Sequence, residues 1–436
     1  MTTSTAYSVR ALLLAGLMVG AVGMPTPAAD DMSNLWSSTS APCSSCGNGA
    51  CSGCFGGLDD YSCGDMTPLA LCPGGRWYFQ ANLIAFRRDA CQEELFQTRN
   101  VNTLTSQEVL DNDGNSLGPP RVWNLLSTIT RENVLGTEDL DFQNAVGYRL
   151  LLGWKLAEKY AVEFSYFDLN DWDETGAISD ATPYDISNPA DIDPASGVIT
   201  VSATYPNSLF SPFTGFGNPV YPVAMLEDFD YNNLASIQYQ SSLDNVELNV
   251  RHWITTKPSR INVAVLWGGR HNAVREWFHY YSTSPVPAAN TENNVYLRTQ
   301  NDLWGFQIGS QIDFCWDPGW HTEFEVKGGV AQNRAVMEGA YAIQDGAAGG
   351  GLVNYNGRVD KDVTSWIGEM RLTLVYQFGA HLTTHVGYEA LVLSKLALAS
   401  RNFETDLSIL ENGPWVMNNG GSVVYHGPSA GFTFAW

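Results

Sequence analysis

Residues Gly427 to Trp436 read GPSAGFTFAW, and their alternation most constrains what this chain can fold into. Ala430, Phe432, Phe434 and Trp436 fall on one side of an extended backbone, and Ser429, Gly431, Thr433 and Ala435 on the other. One face is aromatic and apolar; the other is small and polar. Two settings satisfy such a strand: the edge of a soluble β-sandwich, or a wall with one face against hydrocarbon.

The same period of two recurs along the chain. Trp77 to Arg88 predicts a first strand. Val146, Tyr148, Leu150, Leu152 and Trp154 alternate with Arg149, Gly153 and Lys155, and Val162, Phe164 and Tyr166 with Glu163 and Ser165. Val246, Leu248 and Val250 oppose Glu247, Asn249 and Arg251; Ile261, Val263, Val265 and Trp267 oppose Asn262, Ala264 and Arg270. Trp304, Phe306, Ile308, Ile312 and Phe314 oppose Gln307, Gln311 and Asp313; Phe324, Val326 and Val330 oppose Glu323, Glu325 and Lys327. Trp366, Met370, Leu372, Leu374 and Phe378 oppose Glu369, Arg371 and Thr373; Leu382, Val386, Tyr388 and Val392 oppose Thr383, His385 and Glu389.

Two features separate membrane wall from sandwich. The apolar bands run about ten residues, the length of a tilted strand crossing a bilayer. The connections also sort by side. Tight turns at 157–160, 255–260, 316–319 and 379–380 alternate with long irregular stretches at 89–142, 171–241 (with room for one weak strand), between about 283 and 304, 345–363 and 400–422. Short turns on one side and long loops on the other are the rule for outer-membrane barrels. This count puts Trp77, Trp154, Phe314, Phe378 and Trp436 at the periplasmic rim, and Tyr166, Trp267, Trp304 and Trp366 at the outer rim, as two interfacial girdles. The predicted fold is all-β: a single transmembrane antiparallel up-and-down β-barrel over 76–436, of about ten strands with twelve as the alternative, and with long outer loops.

The rest of the composition fits. A formal net charge of −23 over 436 residues disfavours nucleic acid as a partner. Mean hydropathy is −0.14, and there is no uninterrupted apolar run of about 18 residues, so no helical span is expected. Residues 1–29 have the form of a cleaved secretory signal: Arg10, an apolar core from Ala11 to Val22, and small residues before Asp30. Residues 30–75 form a Cys/Gly/Ser-rich stretch expected to be a periplasmic linker. Of eight cysteines, Cys43, Cys46, Cys51 and Cys54 are spaced tightly enough to suggest zinc, but an oxidising compartment favours disulfides in this segment, with the connectivity open.

NVELNVRHW, then RINVAVLWGGR, GFQIGSQIDF, HVGYEALVL and YHGPSAGFTF, in that order, resemble the putative beta-barrel porin-7 family of planctomycete-type bacteria. The resemblance spans roughly Arg76 to Trp436, with the long loops unmatched. It implies an outer-membrane barrel, with outer-membrane lipid around it and the barrel-assembly machinery as a partner of the terminal strand. It brings no substrate, cofactor or catalytic residue.

Direct chemical motifs are lacking. None of the seven histidines sits in GxSxG or HExxH. His381 and His385 share a face but stand about 13 Å apart along a strand, too far for one metal. Asp111-x-Asp113-x-Asn115 begins like a calcium loop, but Ser116 replaces the turn glycine and Val122 stands where the bidentate glutamate belongs. No enzyme, cofactor or metal site is therefore expected. The expected lumen carries Glu163, Glu247, Asp313, Glu323, Glu325, Glu369 and Glu389 against Arg149, Lys155, Arg251, Arg270, Lys327 and Arg371. These signs nearly cancel. Such a lumen suits a passive diffusion porin, the first expectation, or a closed barrel serving as a structural or surface anchor, the alternative.

Overall fold

A computed structural model describes residues 76–90, 94–105, 126–157, 159–181, 184–186, 203–205, 207–216, 229–254, 260–285, 291–317, 319–344, 352–379 and 381–436. The signal-like residues 1–29, the stretch 30–75, every cysteine but Cys315, and Asp111 to Asn115 lie outside them. The strands in chain order are β1 (Trp77–Ala90), β2 (Leu95–Thr105), β3 (Leu126–Gly136), β4 (Ala145–Ala157), β5 (Tyr160–Leu169), β6 (Trp172–Ser179), β7 (Tyr184–Ile186), β8 (Ala203–Tyr205), β9 (Leu209–Phe210), β10 (Leu234–Trp253), β11 (Ile261–Ser284), β12 (Thr291–Asp317), β13 (Trp320–Gln344), β14 (Leu352–Gln377), β15 (Leu382–Leu396) and β16 (Gly421–Ala435). A short helix α1 (Leu407–Asn412) precedes β16.

Ten of these paths form the wall. β1, β4, β5, β10, β11, β12, β13, β14, β15 and β16 pair antiparallel in that order, and β16 returns to β1 through eleven residue pairs from Tyr78↔Ala435 to Ala90↔Val423. β6 continues β5 along the same side of β10. The chain is thus an up-and-down barrel with no sheet edge where it crosses the bilayer, as a wall in hydrocarbon requires.

The register fixes its width. Across the ladders, Tyr78 leads to Gly153, Glu163, Asn249, Gly268, Gln307, Gly329, Ile367, Leu393, Val423 and back to Ala90. The circuit closes twelve positions above its start. Ten strands with that stagger tilt by about 40° around a wall of about 10 Å radius, a bore that inward side chains can fill.

Outward faces carry the expected apolar band. Leu83, Leu248, Phe306, Ile308, Met370, Leu372, Val386 and Phe432 are among its exposed members. Trp77 stacks on Trp154 at 5.5 Å, and Phe434 on Trp436 at 5.8 Å, at the end bearing the short turns. Trp304 and Trp366, 66% and 62% exposed, mark the other edge, with Trp267 nearby.

Beyond that edge the sequence expectation needs correcting. Stretches read as loop are strand: β6 and the start of β10 occupy 171–241, β11 and β12 leave only 285–290 between them, and β14 begins at Leu352. Residues 89–142, read as irregular, contain the hairpin β2–β3, which pairs with β9 in a separate three-stranded sheet. The reason is a change of phase. On β13, Trp320, Phe324, Val326 and Val330 point outward and exposed, whereas farther up Ala335, Met337, Tyr341 and Ile343 stand at the opposite parity and are buried. β11 does the same, from exposed Ile261 and Trp267 to buried Val274, Phe278 and Tyr280. Below the girdle the apolar face meets lipid. Above it the outer surface meets water, so the apolar face turns inward.

Candidate functional site

Among the described residues, ionisable side chains concentrate in the barrel interior, which is layered. Inward glycines make room for its side chains. At Gly153 a Cβ would lie 2.0 Å from the Tyr78 ring, so the phenol lies across the floor and its hydroxyl donates to Glu163.

The lowest layer is a cavity of about 70 Å³ near the periplasmic mouth, bordered by Gln80, Glu163, His321, Glu323, His385 and Thr433. That is room for a few water molecules. His321 Nε2 lies 3.1 Å from Glu323, and Gln311 donates to Asp313 at 2.6 Å. His385 Nε2 lies 2.6 Å from Asn82 Oδ1. His381 instead contacts the Ala435 carbonyl at 2.8 Å. Cys315, buried on the same inner side, is disulfide-bonded.

Above the cavity lies an ion-pair belt. Arg149 reaches Glu389 at 2.9 Å and Glu369 at 3.3 Å. Arg251 reaches Glu163 at 2.6 Å and Glu325 at 2.9 Å. Arg270 reaches Glu369 at 2.6 Å and Glu247 at 3.4 Å. Lys327 bridges Glu247, Glu325 and Glu369 at 3.1–3.4 Å, and Arg371 bridges Glu325, Glu369 and Glu389 at 3.3–3.8 Å. Five bases thus face five carboxylates, each base touching at least two. Nearly all are under 10% exposed. Buried charge in a low dielectric requires such pairing, and removing one partner strands the others.

Of the thirteen residues expected in the lumen, ten make this belt. Asp313 and Glu323 lie below it, beside the cavity, and Lys155 is half-buried near the lower rim. Sequence reasoning gave the face but not the pairs, which join strands far apart in the chain.

The top layer is apolar and comes largely from loops. Phe403, from the connection between β15 and β16, sits 5.2–6.1 Å from the rings of Phe96, Phe213, Phe278, Tyr280 and Tyr341. Phe213 packs on Phe229 at 5.2 Å. A buried polar knot ties this plug to the wall: Arg88 pairs with Glu276, Tyr239 donates to Glu276 at 2.6 Å, and the Ala399 N–H donates to it at 2.9 Å. Arg88 also lies 4.9 Å above the Phe142 and Tyr239 rings. Arg88 and Glu276 were absent from the expected lumen, although their parity matches that of Asn82 and Arg270. The phase of each strand was the signal that could have found them.

A family model matches more than half of this chain. The model described as Putative beta barrel porin-7 (BBP7) matches residues 111–420. The chain belongs to that family. The match omits β1 and all of β16, the two strands that close this family member's barrel. Together the family and the lipid-facing band make the chain an outer-membrane β-barrel. No curated protein matches it. Among solved structures it is similar to the outer membrane protease OmpT from Escherichia coli, at 9% identity and a TM-score of 0.39, covering 83% of this chain and 97% of that one. It is also similar to the CymD monoaromatic hydrocarbon channel, at 8% identity and a TM-score of 0.29, covering 85% and 91%. For the Ralstonia pickettii toluene transporter TbuX the figures are 10%, 0.26, 85% and 82%. Among the described residues, no group of three His, Cys, Asp or Glu side chains is placed to hold a metal ion.

Proposed function

We propose that this chain is a closed outer-membrane barrel, a non-catalytic anchor that holds an acidic outer region at the cell surface. The observation that carries this reading is the belt in which Arg149, Arg251, Arg270, Lys327 and Arg371 bridge five glutamates across the bore. A solute crossing the barrel would have to part these pairs in a low dielectric, where unpaired charge is costly. The aromatic plug above is a second barrier. Because the belt is neutral by count, it holds none of the net charge of −23, which places the acidic surplus on other parts of the chain. Export through a cleaved signal and recognition of β16 by the assembly machinery belong to this reading.

A passive porin would need the same bore open. One observation favours a gated form of it: the plug is built from loop residues such as Phe403 and Phe213, and loops can leave more readily than wall strands. Liposome swelling separates the two. Purified barrel in vesicles should leave swelling in small sugars at the protein-free rate. Swelling that rises with protein content and falls with sugar size would establish a diffusion pore and end the closed reading.

A further inference from the structure

Two segments of the outer connection between β6 and β10 meet at the plug, 207–216 and 229–233. The Asn232 N–H donates to the Leu209 carbonyl at 3.0 Å, and these two residues form an isolated antiparallel bridge. That register sets Ser211 against Asp230. The Ser211 N–H at 3.2 Å and the Thr214 hydroxyl at 2.7 Å both donate to Asp230 Oδ1.

Three oxygens at this junction are left over. Asp230 Oδ2, Asn232 Oδ1 and Ser211 Oγ are buried and have no hydrogen-bond partner among the described residues. All three residues are 0% exposed. No basic side chain among the described residues acts on Asp230. A carboxylate without water or countercharge is among the least tolerable groups a fold can bury. Beside it stand an amide carbonyl oxygen and a hydroxyl oxygen whose lone pairs are also unused. A buried carboxylate oxygen with neither donor nor countercharge needs a cation or a proton.

We propose that Asp230 Oδ2, Asn232 Oδ1 and Ser211 Oγ bind a calcium ion that fastens these two segments together outside the membrane. The donor set is all hard oxygen: one carboxylate, one amide carbonyl and one hydroxyl, with no sulfur or imidazole. Calcium takes six to eight such ligands in irregular geometry, so water completes the shell, whereas magnesium demands a tight octahedron. The site contains a single carboxylate, so main-chain-positioned neutral oxygens and water would supply the rest of the shell. In sequence, Asp230 and Asn232 also continue the spacing Asp228-x-Asp230-x-Asn232; Asp228 lies outside the described residues and is not counted in the site. The consequence reaches the plug, because the same segments carry Phe213 and Phe229.

The test uses the full chain, folded in detergent, stripped with EDTA and dialysed. Isothermal titration with calcium chloride should show a site that Asp230→Asn weakens at least tenfold. Calcium should also slow protease cleavage of this connection in the unaltered protein and not in the variant. The heat-modifiable band on gels reports whether each barrel is folded. Should Asp230→Asn not fold, Ser211→Ala decides, with an expected loss of at least threefold. Equal calcium binding by the unaltered and substituted proteins would overturn the proposal, as would no binding at millimolar calcium. Equal affinity for magnesium or sodium chloride would overturn the assignment to calcium.

Discussion

Trp415 lies flat on Gly357. A methyl group at that glycine would come within 2.0 Å of the indole, and one at neighbouring Gly339 within 2.5 Å. The tryptophan belongs to the last outer connection and the glycines to β14 and β13. The contact therefore seats a loop on the inner side of the tall outer wall, beside Tyr341 at 5.7 Å. Gly357→Val should expel the indole, costing about 1–3 kcal/mol as an overpacked contact does. The expected readout is faster proteolysis between residues 397 and 420 with the heat-modifiable barrel intact. An unchanged cleavage rate would mean that the contact does not hold the loop.

The change of phase at the outer girdle predicts where arginine is tolerated. Leu372 is 52% exposed on the lipid-facing side of β14, and Asn356 is exposed on the same side of the same strand, above Trp366. Leu372→Arg should lower stability in vesicles by about 2–4 kcal/mol if it meets the bilayer midplane. Asn356→Arg should change it little. Equal losses, measured by urea titration, would move the membrane boundary away from Trp366.

Glu369 touches Arg149, Arg270, Lys327 and Arg371. Glu369→Ala should cost about 3–5 kcal/mol, because four buried bases are left with one carboxylate fewer. Glu369→Gln keeps the shape and some hydrogen bonds, so its loss should be smaller. A belt that is merely decorative would show losses below about 1 kcal/mol for both in the same urea titration.

Topology has its own test. Asn412 ends α1 in the last outer connection, and Lys159 sits in the tight turn between β4 and β5; both are exposed. In intact cells, Asn412→Cys should react with a membrane-impermeant maleimide and Lys159→Cys should not. The opposite pattern would invert the barrel.

Much of the wall was legible because lipid imposes a simple rule. Leu248 and Glu247, or Leu372 and Arg371, differ in polarity because one meets hydrocarbon and the other the bore. The ten strands and the sorting of turns followed from that. The rule fails above Trp304 and Trp366, where Tyr280, Met337 and Tyr341 are apolar and inward while Arg334 and Arg358 are polar and outward. Polar residues on the formerly apolar face look like loop unless the phase is tracked. The belt was legible as a set of residues and not as a network, since Arg149 meets Glu369 across 220 positions of sequence. The plug left less trace. Phe403 and Phe213 sit in stretches with no period, and only tertiary structure makes them neighbours.

The central claim is that the bore is closed by the belt and the plug together, and single-channel recording tests it most directly. Purified full-length protein inserted in a planar bilayer should show no stable conductance steps in molar potassium chloride. Shortening the connection 397–420 and replacing Glu369 with alanine in the same chain should produce them. Stable, uniform steps from the unaltered protein would contradict the account and identify an open pore.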